Sequence, residues 1–203
     1  SVVGAEALAR WNHPTRGLLS PGYFIDVAEE TGLIIGLGEI VLRMACRQGK
    51  TWLDEGRGMP LAVNVSVRQL EQPGFTDQVL QILKETGFPA DQLELEVTET
   101  VAMANPEITQ STTQPLREAG VRFAIDDFGT GYSSLAYLQK LPFDTFKIDR
   151  SFIWGLGSED SNRLIVQTIL AMAQSLNFDV VAEGVETVEQ QQFLRDNGCA
   201  TAQ

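Results

Sequence analysis

Short apolar runs alternate with longer segments of helical periodicity along the whole chain. Each apolar run is rich in β-branched or other strand-forming residues and is flanked by turn-forming residues, which is typical of strands. The predicted strands cover residues 2–8, 61–66, 93–99, 122–126, 145–149, 180–185 and 199–203. Strands that alternate with helices indicate a parallel sheet with helical crossovers.

The predicted helices lie between these strands, and most of them end at a glycine. They cover residues 20–32, 37–56, 75–87, 108–120, 161–177 and 187–198, and Pro115 is expected to interrupt or kink the fourth. Because no linker separates the units, one α/β domain over residues 1–203, a (β/α)8 barrel, is favoured over an open sheet. The nucleotide-binding motifs of open sheets, G-x-G-x-x-G and the full P-loop G-x-x-x-x-G-K-[ST], do not occur in the sequence, since Met44 stands where the P-loop before Gly49 needs a glycine.

Polar side chains recur at or near the carboxyl ends of the predicted strands. They are Glu6, Asn64, Glu96 with Glu99, Asp126 with Asp127, Lys147, Glu183 and Gln203. In a barrel these strand ends meet at one mouth, where active sites form. One strand ending in Glu is usually a solvated strand end, but repetition on every strand among apolar neighbours favours a shared site. Carboxylates buried in such numbers need cations or hydrogen-bonding partners.

The adjacent Asp126 and Asp127 raise an electrostatic question, because two like charges this close repel unless a cation lies beside them. The candidate ligands are all oxygen, which points to Mg²⁺ or Mn²⁺ rather than zinc or copper. Neighbouring aspartates can bridge two such ions about 4 Å apart, and two-metal sites of this design cleave phosphodiesters. Lys147 either assists that reaction or forms a salt bridge that balances the carboxylates. Ca²⁺ is expected to inhibit, because it prefers longer bonds and looser geometry.

Composition narrows the class of protein. The 203 residues are 43% hydrophobic and 21% charged, as in a soluble globular domain, and no apolar run approaches a membrane span of roughly 20 residues. A net charge of −12 argues against binding to DNA or an anionic membrane, but not against one small anionic ligand. Cys46 and Cys199 are too few for a disulfide framework, and His13 beside Pro14 is expected in a loop.

Seven sequence motifs resemble, in order and across essentially all of the chain, the EAL family of bacterial cyclic di-GMP phosphodiesterases. They are GAEALARW, VNVS, LELEVTET, AIDDFGTGYSSLAYL, FKIDRSF, AEGVET and GCATAQ. The resemblance implies a TIM-like (β/α)8 barrel with one antiparallel strand and two bound Mg²⁺ or Mn²⁺ ions. It also implies hydrolysis of cyclic di-GMP to the linear dinucleotide pGpG.

The resemblance assigns the metal ligands by position. One ion is expected on Glu6, Asn64, Glu96 and Asp126, and the second on Asp126, Asp127 and Glu183. Glu6 and Glu183 are also expected to be essential for catalysis, and Glu183 is assigned alternatively as the general base. The full set of ligands is present, which favours an active enzyme.

The remaining assignments concern catalysis, the substrate and a loop. Lys147 matches the catalytic lysine of the family, and Arg10 is expected to contact a substrate phosphate. Gln203 is expected to line the site at the last strand, and Glu99 to support the glycine-rich loop that follows Asp127. Gly129 and Gly131 give that loop, DDFGTGYSSL, conformational freedom, so it is the predicted place where activity is switched.

The resemblance also predicts what lies around the chain. The first strand and the last helix of the family are expected outside these residues, so we interpret the chain as a domain truncated at both ends. A homodimer that packs near the glycine-rich loop and its following helix is expected, as is fusion to sensory or GGDEF domains. A cytoplasmic location is expected, either free or as the cytoplasmic part of an inner-membrane protein.

Two other functions stay open at this point. The first is a catalytically silent receptor or regulatory domain that binds cyclic di-GMP without cutting it. The second is a different metal-dependent barrel enzyme that stabilises an enolate with Mg²⁺ and a lysine base, and that acts on carboxylate substrates.

Overall fold

Strands and helices alternate in the computed structural model, which describes residues 1–131, 138, 141–157 and 160–203. The second half of the predicted glycine-rich loop and its following helix, with the predicted dimer surface, fall largely on residues outside these ranges. The chain divides into two compact units. The first comprises Ser1–Glu96 with Glu107–Arg122, and the second comprises Val97–Pro106 with Phe123–Gln203.

The first unit contains three parallel strands and a hairpin. Its strands are β1 (Ala5–Ala7), β2 (Trp11–His13), β3 (Gly17–Leu19), β4 (Leu61–Asn64) and β5 (Leu93–Thr98), which continues into the second unit. β4 pairs in parallel with β1 on one side and β5 on the other. Asn64 lies opposite Glu96 in this register, so both side chains lie on the same face of the sheet.

The β2–β3 hairpin differs from the prediction, which placed His13 in a loop. His13 is the last residue of β2, and its Nδ1 atom accepts hydrogen bonds from the backbone N–H groups of Thr15 at 3.2 Å and Arg16 at 3.3 Å. The imidazole therefore closes the turn between the two strands. The strands have only three residues each, too short for their alternation to register as a periodic pattern.

The helices of the first unit pack around these strands. They are α1 (Ile25–Thr31), α2 (Ile34–Asp54), α3 (Val67–Leu70) and α4 (Phe75–Thr86). Two further helices follow, α5 (Glu99–Ala104) in the second unit and α6 (Pro106–Glu118), most of which returns to the first. α2 packs on α4, and Cys46 and Val79 are fully buried there. Burial raises the pKa of the Cys46 thiol to about 12, so it stays protonated as a core residue.

α6 continues through Pro115 to Glu118, although the prediction allowed an interruption there. Proline removes one backbone N–H, which costs a single hydrogen bond close to the end of the helix. Thr113 and Leu116 on either side are completely buried, and Thr113 donates its hydroxyl to the carbonyl of Thr109. The buried face thus keeps the helix in place across the proline.

In the described part of the second unit, four strands run parallel. They are β6 (Arg122–Phe128), β7 (Thr145–Ile148), β8 (Asp179–Ala182) and β9 (Thr201–Ala202), and each pairs with the next. Its further helices are α7 (Arg150–Trp154), α8 (Asp160–Leu176) and α9 (Val188–Asp196). The rings of Phe128, Phe146 and Phe178 stack with centroids 4.3 Å apart in each successive pair, which forms part of its core.

Several strands end earlier than predicted. β8 ends at Ala182, so Glu183 is the first residue of the loop that follows, and β7 ends at Ile148, so Asp149 follows it. The polar side chains at the strand ends of the second unit therefore belong to the first loop residues as well as to the strands. Among the helices of the described ranges, none is long and apolar enough to cross a membrane.

Two glycines of α2 give a matched test of packing in the first unit. A Cβ atom at Gly38 would lie 2.0 Å from Nε2 of the buried Gln69, whereas a Cβ atom at Gly36 would meet nothing within 4 Å. We expect Gly36→Ala to stabilise the protein by about 0.5–1 kcal/mol through helix propensity. Gly38→Ala should destabilise it by about 1–3 kcal/mol because Gln69 must move. Urea unfolding measures both values, and equal stabilisation by the two changes would contradict this packing.

Candidate metal centre

A bulge in β6 brings two adjacent carboxylates to the same place. Ile125 pairs with Phe146 and Phe128 pairs with Ile148, so β6 has one residue more than β7 over this stretch. The extra residue coincides with Asp127, whose φ of 52° is left-handed. A regular strand would direct Asp126 and Asp127 to opposite faces. The bulge changes the direction of one side chain, as bulges near active sites commonly do.

A third carboxylate completes this cluster. One oxygen each from Asp126, Asp127 and Glu183 lies within 4.8 Å of the other two. Glu183 follows β8, and its backbone N–H donates to the carbonyl of Ile148 at 3.1 Å. The parallel pairing of β7 with β8 therefore fixes the backbone position of Glu183. Three convergent carboxylates form a group of ligands suited to a divalent cation.

Lys147 lies between two of these carboxylates. Its Nζ atom is 2.7 Å from Oε1 of Glu183 and 3.4 Å from Oδ1 of Asp126. The Lys147 residue is only 2% exposed, because every residue of β7 is buried. One ammonium thus faces carboxylates that together carry a larger negative charge, and it fixes the positions of two of them.

Asp149 belongs to the same cluster and was not predicted as a site residue. Its side chain forms a hydrogen bond with the side chain of Asp127. It also accepts hydrogen bonds from Oγ of Ser151 and from the Ser151 backbone N–H, the latter at 3.0 Å, and so caps α7. The sequence signal was its position two residues after Lys147, where the same strand end offers a second polar side chain.

Protonation in the cluster is uneven. Burial, followed by repulsion from Asp126, Asp149 and Glu183, raises the pKa of Asp127 from 3.8 to about 6. Burial also acts to raise the pKa of Asp149, but the hydrogen bonds from Ser151 and Asp127 outweigh it, so that pKa is lowered. An added positive charge beside Asp127 would therefore favour its ionised form.

The first unit contains a second polar group. Nδ2 of Asn64 donates to Oε1 of Glu6 at 2.7 Å, and Glu96, only 2% exposed, lies opposite Asn64 on β5. Glu6 also lines an apolar cavity of about 1090 Å³ together with Arg10. Arg10 is exposed, and its Nη1 atom donates to the carbonyl of Ala9 at 2.8 Å.

Glu99 contacts the start of the glycine-rich loop within the second unit. Its Oε2 atom accepts hydrogen bonds from the N–H groups of Gly129 at 2.8 Å and Gly131 at 3.2 Å. Gly129 has φ of 100°, and a Cβ atom at Gly131 would lie 3.0 Å from the Glu99 carboxylate. Glycine is therefore needed at both positions, once for conformation and once for close approach.

Gln203 follows β9. Its backbone N–H donates to the carbonyl of Ala182 at 2.8 Å, and its own carbonyl accepts from the N–H of Val185 at 3.2 Å. The side chain is exposed. Gln203 thus contacts the same loop that begins with Glu183.

The donor set fits hard divalent cations. Among the residues that the structure describes, none donates a hydrogen bond to the buried Oδ1 atom of Asp126, and Nζ of Lys147 lies 3.4 Å from it. The Asp126, Asp127 and Glu183 cluster supplies only oxygen ligands, which Mg²⁺ and Mn²⁺ prefer. A bound cation would satisfy that atom and neutralise the repulsion that raises the pKa of Asp127.

Comparisons with known proteins give a consistent result. The family model of the EAL domain matches residues 1–203. The chain is 46% identical over 203 residues to the bifunctional diguanylate cyclase/cyclic di-GMP phosphodiesterase MucR of Pseudomonas aeruginosa, covering all of the chain and 30% of MucR. It is 48% identical over 199 residues to the cyclic di-GMP phosphodiesterase NbdA of the same organism, covering 98% of the chain and 25% of NbdA.

The solved structures agree with these sequence matches. The complex of the PaMucR phosphodiesterase with c-di-GMP superimposes with a TM-score of 0.94 at 46% identity, over 98% of this chain and 81% of that one. Solved EAL domains are TIM-like barrels, so the predicted fold class is confirmed. The chain spans between a quarter and a third of the length of MucR and NbdA, which are longer proteins.

The raised pKa of Asp127 predicts how stability depends on pH when EDTA removes metal ions. Between about pH 4 and 6 the folded protein binds more protons at this group than the unfolded chain, so stability falls as pH rises. Asp127→Asn removes this loss of stability, because the asparagine side chain is neutral at every pH tested. Asparagine also tolerates the left-handed backbone. At pH 7.5 we expect a gain of about 1 kcal/mol after allowing for solvent screening, or about 2–4 °C in Tm.

The control for this prediction is the same pair of proteins at lower pH. At pH 4 or below both folded and unfolded Asp127 take up protons, so the Tm values of variant and parent should converge. Differential scanning calorimetry gives both values. An Asp127→Asn protein that melts below the parent at pH 7.5 would contradict the assigned repulsion.

Proposed function

The chain belongs to the EAL domain family, and from that premise we propose that it hydrolyses cyclic di-GMP to linear pGpG with two Mg²⁺ or Mn²⁺ ions. The observation that carries the proposal is the convergence of Asp126, Asp127 and Glu183, with ligand atoms within 4.8 Å of one another. The similarity to MucR and NbdA, which are both named as cyclic di-GMP phosphodiesterases, supports the choice of substrate. The reaction adds one water across one phosphodiester bond.

The carboxylates would bind the ions. In the proposal, Glu6, Asn64, Glu96 and Asp126 hold one, and Asp126, Asp127 and Glu183 hold the other. When bound, the ions would activate the attacking water and neutralise charge on the phosphate and leaving group. Positive charge is needed in any case, because cyclic di-GMP is anionic and the chain has a net charge of −12.

Lys147 and Glu183 act next to the ions. The Lys147 ammonium, fixed between Asp126 and Glu183, keeps a positive charge where negative charge develops on the phosphoryl group. We propose that Glu183 is primarily a metal ligand. The alternative role of Glu183 in the proposal is that of general base, in which its carboxylate would accept a proton from the attacking water.

Three further residues have supporting roles in the proposal. Arg10 would contact a substrate phosphate, because a guanidinium can donate two parallel hydrogen bonds to phosphate oxygens. The Gln203 side chain would line the site. Glu99 would hold the glycine-rich loop through the N–H groups of Gly129 and Gly131, which keeps the segment after Asp127 in register.

The setting of the domain is also a proposal. Because MucR and NbdA are three to four times longer than the matched region, we propose that the chain is one truncated EAL domain of a longer protein with sensory or GGDEF domains. We further propose that it works in the cytoplasm and forms a homodimer. Sedimentation of the full-length protein tests the dimer.

The first experiment separates enzyme from receptor. The protein is incubated with cyclic di-GMP and Mg²⁺, Mn²⁺, Ca²⁺ or EDTA, and pGpG is measured by chromatography. Formation of pGpG with Mg²⁺ or Mn²⁺ and inhibition by Ca²⁺ are expected. Binding of cyclic di-GMP without pGpG would identify a receptor, and activity that survives EDTA unchanged would contradict the metal dependence.

Glu6→Ala is expected to lower turnover by more than about a hundredfold, because removing a direct ligand should cost more than removing its supporting partner. Its melting temperature should stay close to that of the parent. The matched control is Glu94→Ala, which removes a carboxylate on β5 that pairs with Arg122 at 3.6 Å. Turnover of Glu6→Ala within tenfold of the parent would remove Glu6 from the ligand set.

Lys147→Met separates catalysis from metal binding. We expect kcat to fall by about 10²–10³-fold, because a charge aimed at the transition state is lost. The half-saturating Mg²⁺ concentration should not rise, since a competing cation leaves the carboxylates. In EDTA the free energy of unfolding of the variant should be about 1–3 kcal/mol lower, because Asp126 and Glu183 lose their ion pair with Lys147. Mg²⁺ should restore that stability.

Lys84→Met is the control, since Lys84 is exposed on α4 in the first unit. Titration of Mg²⁺ at saturating cyclic di-GMP gives kcat and the half-saturating concentration for each protein. A Lys147→Met variant with unchanged kcat and a tenfold higher Mg²⁺ requirement would show that Lys147 acts only on metal binding.

A further inference from the structure

Two backbone hydrogen bonds hold the first half of the loop from Glu183 to Thr187. The N–H of Glu183 donates to the carbonyl of Ile148 at 3.1 Å, and the N–H of Val185 donates to the carbonyl of Gln203 at 3.2 Å. These two contacts tie the first half of the loop to neighbouring strand ends. The second half, Glu186 and Thr187, is exposed.

One buried side chain holds that second half. Oε1 of Gln190 accepts the N–H groups of Glu186 at 2.8 Å and Thr187 at 2.9 Å. Nε2 of the same side chain donates to the carbonyl of Ile153 at 3.1 Å. Gln190 is only 9% exposed and Ile153 is completely buried, so the bond to Ile153 is buried, whereas the two bonds to the loop are partly buried. The Gln190 amide therefore joins the loop to α7.

The two segments that Gln190 joins both carry acids of the metal centre. α7 contains Ile153, and its N-cap is Asp149, which hydrogen-bonds to Asp127. The loop begins with Glu183, one of the three convergent carboxylates. Gly184 marks close contact between them, since a Cβ atom there would lie 2.7 Å from Cβ of Arg150. Its φ of 69° also makes a larger residue strained.

We propose that Gln190 is a positioning residue, which clamps loop 183–187 onto α7 and so sets the distance of the Glu183 carboxylate from Asp126 and Asp127. The proposal rests on the metal centre described under the proposed function. The clamp acts through the backbone, because the Gln190 side chain hydrogen-bonds to backbone atoms of the loop and of α7 and not to the acids of the metal centre. Loss of the clamp should leave the ligands present but imperfectly placed, which weakens metal binding.

The clamp must be distinguished from ordinary helix capping. Thr187 and Gln190 form a capping box at the start of α9, in which Oγ1 of Thr187 accepts the Gln190 N–H at 3.2 Å. Glutamate serves this motif as well as glutamine. The bond from Nε2 to Ile153 is no part of a capping box, and a carboxylate cannot make it. Gln190→Glu thus keeps the cap and breaks the clamp, whereas Thr187→Ala weakens the cap and keeps the clamp.

The experiment measures Mn²⁺ affinity by calorimetric titration at pH 8, together with Tm in EDTA and kcat for cyclic di-GMP. For Gln190→Glu we expect Mn²⁺ to bind at least tenfold more weakly and kcat to fall, while Tm changes by no more than about 3 °C. For Thr187→Ala we expect the reverse, a lower Tm with Mn²⁺ affinity within twofold of the parent. Gln191→Glu, which adds the same charge at an exposed position of α9, should change neither.

Each result decides the proposal. Mn²⁺ affinity of Gln190→Glu within twofold of the parent overturns it, and so does an equal loss of affinity in Gln191→Glu. If Gln190→Glu does not melt cooperatively, Gln190→Met, which keeps the shape and removes the hydrogen bonds, is judged by the same Mn²⁺ titration. A parent that binds no Mn²⁺ overturns the clamp and the metal centre together. A parent that binds Mn²⁺ but forms no pGpG overturns only the phosphodiesterase, and the clamp is then judged on affinity.

Discussion

Consecutive residues with the same charge can serve one site only if the backbone turns them to the same side and something offsets their repulsion. β6 meets the first condition with a bulge at Asp127, in a left-handed conformation that aspartate tolerates better than most residues. Lys147 meets part of the second from the buried strand beside it. The raised pKa of Asp127 shows that the offset is incomplete without a further cation. Asp149 and Glu183 add to the repulsion, because their charges also raise the pKa of Asp127.

The two units hold their acidic side chains in different ways. In the first, Nδ2 of Asn64 donates to Oε1 of Glu6 at 2.7 Å, so a neutral amide faces a partly exposed carboxylate. In the second, the carboxylates of Asp126, Asp127 and Glu183 converge, and the ammonium of Lys147 contacts two of them. Burial and repulsion within that cluster raise the pKa of Asp127, and a divalent cation would relieve the repulsion.

Much of this arrangement could be predicted from the sequence. The features that could not be predicted escaped for physical reasons. The alternation of strands and helices and the polar residues after Ile125 and Ala182 follow from periodicity and parallel pairing. The hairpin around His13 could not be predicted, because three-residue strands leave no periodic signal. Asp149 was missed because one strand-end aspartate looks like a solvated cap, which in part it is. The role of Gln190 could not be predicted, because its side chain hydrogen-bonds to backbone C=O and N–H groups. Residue identities do not show which backbone groups lie near a side chain.

The left-handed backbone at Asp127 also has an evolutionary consequence. Few residues fit such a conformation without strain, and those that fit most easily besides aspartate are asparagine and glycine, which are neutral. The replacements best tolerated at this position are thus the ones that delete a charge and keep the strand. A duplicated copy of this domain would therefore lose one carboxylate of the cluster in a single mutational step while keeping its shape.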